Sequence, residues 1–135
     1  MKKSEFRFIQ PYIINSEFAL NEKFENADKD DVDLDLKINK YTNYDKQIDS
    51  RSAIVGLSVE IGKKEDKKTP FFCKVSMESK FEWDEGIGKE RIEVFLGQNA
   101  PALLIGYIRP VIAYLTQNSL IPTVNIPLIN FEGDK

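Results

Sequence analysis

The amino-acid sequence predicts an α+β domain: a four-stranded antiparallel sheet with a long carboxy-terminal helix packed on one face. Three observations predict it. Segments 32–41, 53–61 and 70–83 alternate apolar and polar residues, as half-buried strands do. Residues 100–115 place apolar side chains at helical rather than strand spacing. The 135 residues are enough for one core, and no repeat or composition shift marks a second domain, so 1–135 is read as a single domain.

Taken in order, Phe6 to Leu20 is a first strand interrupted at Gln10-Pro11, because proline cannot donate to a ladder and belongs at an edge or a bend. Residues 21–31 form a polar connector around Phe24. In the second strand Val32, Leu34, Leu36 and Ile38 share a face, opposite Asp33, Asp35, Lys37 and Asn39. A loop over 43–50 leads to the third strand, with Val55, Leu57, Val59 and Ile61 inward. The charged run 62–68 is a solvated hairpin loop. In the fourth strand Phe71, Cys73, Val75, Met77, Phe81 and Trp83 face one way, and Lys74, Ser76, Glu78, Lys80 and Glu82 the other. One wet face and short connections indicate antiparallel pairing.

Gly86 and Gly88 turn the chain out of the sheet, and Glu90 to Leu96 reads as a short helical turn. The main helix is expected to open at Pro101 under an Asn99 cap. Leu103, Tyr107, Val111 and Tyr114 line one side of it, and Leu104, Ile105, Ile108, Ile112 and Leu115 another. A sheet covers one side only. The helix is therefore expected to carry a subunit interface, assigned to Leu104, Tyr107, Ile108, Val111, Ile112 and Leu115. Pro110, with Gly106 one turn earlier, predicts a kink. From Ser119 to Phe131, Pro122 and Pro127 forbid a helix interior, so this is an extended arm.

The composition narrows the function. A net charge of -3 without a basic stripe gives no footprint for nucleic acid. There is no histidine, which removes the commonest general base and every Ser-His or Cys-His nucleophile pair. The lone Cys73 lies in phase with the buried face, as a core residue does, and fits a reducing compartment. A calcium loop starting at Asp31 fails, with Leu36 where glycine is needed and Thr42 where glutamate is needed. Gly86-Ile87-Gly88-Lys89 lacks the remainder of a phosphate loop, since Glu90 follows. No catalytic residues, metal or cofactor are assigned, and an enzyme is not expected. The uncharged run 110–131 contains three prolines, which argues against a membrane span, and Met1-Lys2-Lys3 precedes no apolar signal segment. A cytoplasmic location is expected.

What remains is apolar surface. Phe72 and Ile54 fall in the outward phase of their strands, and Tyr12, Ile13 and Ile14 are consecutive, so one phase must face outward. With Leu120, Ile121, Ile126 and Leu128 of the arm, these residues are expected to form a groove for apolar segments of other chains or to be consumed between subunits.

The arm and helix carry a resemblance. Ala100-Pro101, Tyr107-Ile108-Arg109 and the block from Leu120-Ile121-Pro122 to Asn130-Phe131 resemble the carboxy-terminal part of the SecB family of bacterial export chaperones. That family shows a Cys-Pro or Ala-Pro helix start, Tyr-Ala-Arg in mid-helix and a Pro-x-Leu-Asn-Leu-x-Pro-x-Asn-Phe arm. Phe71-Phe72-Cys73-Lys74-Val75 is similar to its Phe-Leu-Cys-Glu-Val strand. A short uncharacterised SecB-like family of Gram-positive bacteria is similar as well.

The resemblance implies ATP-independent holding of unfolded or extended polypeptides in apolar grooves, as a dimer or a tetramer. The polypeptide-binding candidates are Tyr12, Ile13, Ile54, Phe72, Leu120, Ile126 and Leu128. Coupling to the SecA motor does not follow. The family meets SecA through acids on its sheet face, and aligned positions here are Lys74, Asn15 and Ala19. The family pattern also continues past Asn-Phe, where this sequence has Glu132 to Lys135. The alternative is a non-enzymatic structural or regulatory homo-oligomer with one specific protein partner.

Overall fold

The computed structural model describes residues 5–22, 24, 35–47, 49–64 and 69–117. Five strands form one antiparallel sheet: β1 Phe6–Phe8, β2 Tyr12–Leu20, β3 Leu36–Tyr44, β4 Ser52–Ile61 and β5 Phe71–Trp83. The order is β1-β5-β4-β3, and β2 lies on the same edge of β5 as β1. The single interrupted strand expected at the amino terminus is thus two strands on one sheet position. Pro11 is the cause, since it offers no N–H between them. Beyond it, Ile14 is the extra residue of a β-bulge between Ile13 and Asn15.

β3 runs to Tyr44, three residues past its expected end at Tyr41 and into the stretch read as loop. Val32 and Leu34 lie outside the described residues. Register places Val55, Leu57 and Val59 of β4 beside Ser79, Met77 and Val75 of β5, all turned to one face. On that inner face these β4 and β5 residues are buried, with Phe71, Cys73 and Phe81 in the same layer.

Helix α1, Lys89–Val94, follows the turn at Gly86. A π-helical turn, Phe95–Asn99, then leads into α2, Ala100–Gln117. The expected break at Asn99 is absent. Val94, Phe95 and Ala100 all have helical φ and ψ, so one helical path runs from Lys89 to Gln117 and Asn99 caps nothing. The N–H of Ala100 reaches the carbonyl of Phe95, five residues back. Pro101 has no N–H to return to Gly97 four residues earlier, and the Gly97 carbonyl instead accepts Lys40 Nζ at 2.8 Å from β3. Pro110 lies inside α2, which continues through it.

α2 crosses the inner face of β5 and β4. Leu104, Ile105, Ile108, Ile112 and Thr116 are buried against this chain's own sheet. This corrects the interface expected at Leu104, Ile108 and Ile112. Those side chains are one stripe at helical spacing, and the stripe that fits the sheet is filled by the same chain. The opposite stripe is different: Leu103 and Val111 are half-buried, Tyr107 is 39% exposed and Tyr114 is 63% exposed.

Candidate polypeptide-binding surfaces

A groove opens between β3 and the helical path. One end, about 510 Å³, is lined by Tyr44, Trp83, Ile87, Lys89, Ile92 and Glu93. The other, about 570 Å³, is lined by Thr42, Glu90, Glu93, Val94 and Gly97, among others, and includes the Lys40 that holds the Gly97 carbonyl. Both ends share Glu93. Register explains the floor: Lys40, Thr42 and Tyr44 oppose Leu57, Val55 and Ala53, so they turn toward the helix side of the sheet. The Tyr44 ring meets Trp83 edge-on at 6.4 Å. Burial, then the nearby Glu93 carboxylate, raises the Tyr44 pKa above the ordinary phenol value. Among the described residues β3 pairs only with β4, so its other edge presents backbone N–H and C=O groups beside an aromatic floor with an acidic rim.

The outer face of the sheet is built in cross-strand rows. Glu17, Lys74, Glu60 and Lys37 stand opposite one another across four strands, with Lys74 Nζ 3.6 Å from Glu60. The next row is Asn15, Ser76, Ser58 and Asn39, its two serine hydroxyls hydrogen-bonded at 3.0 Å. A third row aligns Tyr12, Glu78, Gly56 and Tyr41. Tyr12 donates to Glu78 Oε1 at 3.0 Å, and Tyr41 reaches across Gly56 to donate to Glu78 Oε2. The Tyr12 pKa is raised, first by that hydrogen bond to the carboxylate. Among the described residues no group of three or more His, Cys, Asp or Glu is placed to hold a metal.

The family model described as SecB, preprotein translocase subunit SecB, matches residues 5–133. The chain belongs to the SecB family. The uncharacterized protein MJ0357 of Methanocaldococcus jannaschii is 32% identical over 133 residues, covering 97% of this chain and 83% of that protein. The fold is shared with the Rv1957 SecB-like chaperone of Mycobacterium tuberculosis, solved with a ChAD peptide from the Rv1956 HigA1 antitoxin. The TM-score is 0.69 at 14% identity, over 93% of this chain and 88% of that one. The family resemblance carried by the helix, arm and Phe71–Val75 blocks, and the sheet-and-helix fold expected from the residue periodicity, are therefore correct.

Within this SecB-family sheet the four expected binding residues that are described do not share one exposed surface. Tyr12 is on the outer face, hydrogen-bonded to Glu78, whereas Ile13 turns to the inner side opposite Met77; both are exposed. Ile54 is half-buried among Asn43, Tyr44 and Lys80 near the β3–β4 turn. Phe72 is outward but not exposed. It is 8% accessible, with Lys64 Nζ 5.1 Å above its ring and Ala19 opposite it in the register. Leu120, Ile126 and Leu128 lie outside the described residues. Lys74, Asn15 and Ala19 all fall on the outer face.

The groove residues Tyr44, Trp83, Ile87 and Ile92 went unread in the sequence. Tyr44 fell in a stretch read as loop, Trp83 looked like core, and Ile87 followed the turn glycine. The usable signal was the adjacency of apolar residues to the Gly86 turn, where the chain leaves the sheet with its grease uncovered.

Proposed function

We propose that this SecB-family protein holds extended or unfolded polypeptide segments passively, without ATP and without chemistry, in the cytoplasm. The observation that carries this reading is the groove beside the β3 edge that no strand among the described residues pairs with. A client strand can add its backbone to that edge while alternate side chains drop onto Tyr44, Trp83, Ile87 and Ile92. The peptide-bound state of the M. tuberculosis chaperone with the same fold supports the choice. The lack of histidine and the aggregate of paired surface charges argue for holding over catalysis.

The test is suppression of aggregation of a chemically denatured test protein in the absence of nucleotide. Wild type is expected to suppress it, and Ile92→Asp to lose at least half of the effect while keeping its fold by circular dichroism. Wild type that neither slows aggregation nor binds denatured protein overturns the reading.

Transfer to a SecA-like motor is not part of the proposal. On the outer face Glu17, Lys74, Glu60 and Lys37 alternate in sign, so the face lacks the single-sign field that steers an oppositely charged partner.

A second reading rests on a separate observation. The exposed α2 stripe of Tyr107 and Tyr114, flanked by half-buried Leu103, Val111 and Leu115, suits contact with another copy. We therefore propose a homo-oligomer, dimer or tetramer. If assembly also covers the groove, the structural or regulatory role replaces the holding role.

A further inference from the structure

β1 occupies the edge of β5 in an unusual manner. It is three residues long and is separated from β2 by Pro11, which has no N–H to give to the β5 ladder between the two strands. Phe6 enters a prepared site, while Phe8, on the same face, stays 44% exposed. The Phe6 ring stacks on Phe95 of the π-helical turn with centroids 3.9 Å apart and planes 12° apart. The Arg91 guanidinium lies 5.9 Å over the same ring, making a slot with an aromatic wall and a cationic wall. Phe8 meets Phe81 at 6.1 Å. The polar tethers are weak by position: Arg7–Asp84 at 2.5 Å and Glu5–Arg91 are ion pairs whose partners are all about half exposed or more.

The remaining anchors are generic. Ile9 N–H donates to the Lys80 carbonyl at 3.0 Å, and the buried Ser79 hydroxyl donates to the Ile9 carbonyl. Both are bonds to backbone, which any extended segment could supply. The site thus selects an aromatic–x–aromatic strand and is filled by the chain's own Phe6-Arg7-Phe8.

We propose that β1 is a displaceable strap that blocks a second strand-addition site, on the β5 edge from Phe81 to Trp83, and yields it to an extended segment of another polypeptide bearing two aromatic residues at i and i+2. The hinge is Gln10-Pro11. This rests on the polypeptide-holding reading and adds to it a site distinct from the β3 groove.

The test uses the full chain and a fluorescent peptide copying residues 5–10, Glu-Phe-Arg-Phe-Ile-Gln. Phe6→Ala empties the slot and is expected to bind the peptide about tenfold more tightly than wild type, since the competing occupant is weakened. A second variant, Arg7→Cys with Glu82→Cys, places a cysteine pair directly across the two strands, within reach of a disulfide. Cys73 is buried and does not compete. Oxidised, this variant is expected to lose at least about tenfold in peptide affinity, regained on reduction. Hydrogen exchange of residues 5–9 in wild type should quicken on peptide addition while residues 12–20 stay protected.

Equal affinity in wild type, Phe6→Ala and the locked variant overturns the strap, as does unchanged exchange in residues 5–9. A cross-link found only between two chains also overturns it, in favour of strand exchange between copies. Failure of the holding function is read separately, from the aggregation assay and Ile92→Asp.

Discussion

Gly56 shows how a single missing side chain organises a face. A Cβ there would sit 2.1 Å from the Tyr41 ring, so only glycine lets Tyr41 lie across β4 and reach Glu78. Tyr41 is itself on the surface and free to swing aside, so Gly56→Ala is expected to lose the hydrogen bond rather than the fold. The expected loss is about 1–2 kcal/mol in urea unfolding, Tyr41→Phe should lose a similar amount, and the double variant less than the sum. Cys73 makes the opposite case, a polarizable group enclosed in the sheet. Burial pushes its thiol up to about 11. The unfolded chain then releases this proton first, so stability falls as pH rises from about 9 to 11. The fall attributable to Cys73 is at most about 1.4 kcal/mol per pH unit and should vanish in Cys73→Ala, measured by urea unfolding across that range. Below pH 9 the native thiol is expected to resist alkylation until the protein is denatured.

Among the elements, the helical path depends on the π-helical turn. Pro101 leaves the Gly97 carbonyl without an α-helical donor, and Lys40 supplies one from the strand that borders the groove. The bond joins β3 to the helix across the groove floor. Lys40→Met is expected to cost about 1 kcal/mol and to speed hydrogen exchange of the amides in 95–100, with exchange in β4 unchanged. The same turn presents Phe95 to both Phe6 and Phe81. One irregular turn therefore shapes the groove on one side and the strap site on the other, as one residue per turn more than α-helix rotates the side chains that follow.

For the whole molecule, one stripe of α2 serves folding, and the other is the one proposed above for assembly. Ile108 is fully buried under the sheet, and Ile108→Ala is expected to lose about 2–5 kcal/mol of stability in urea unfolding. Tyr107→Lys with Tyr114→Lys should leave that stability almost unchanged, because both side chains are already exposed. In light scattering the same pair is expected to reduce the oligomer to single chains. A double variant that keeps its mass, or a wild type that is already monomeric, removes the assembly role from this stripe.

Period-2 alternation in 53–61 and 71–83 determined two central strands and their buried faces, because a strand's pleat turns successive side chains to opposite sides wherever it lies. The proline at 11 marked the break in the edge strand, and Ala100-Pro101, Tyr107-Ile108-Arg109 and the arm from Leu120 to Phe131, with the Phe71–Val75 block, pointed to the family. Burial of one helical stripe was legible too, though not which stripe, because both are apolar and only the docked sheet chooses between them. The outcome at Phe72 was hidden for a related reason: Lys64, just past the end of β4, lies over its ring. The groove depended on tertiary structure alone. Tyr44, Trp83, Ile87 and Ile92 come from β3, β5, the turn after β5 and α1, and no local pattern encodes a space that arises only when a helix crosses a sheet.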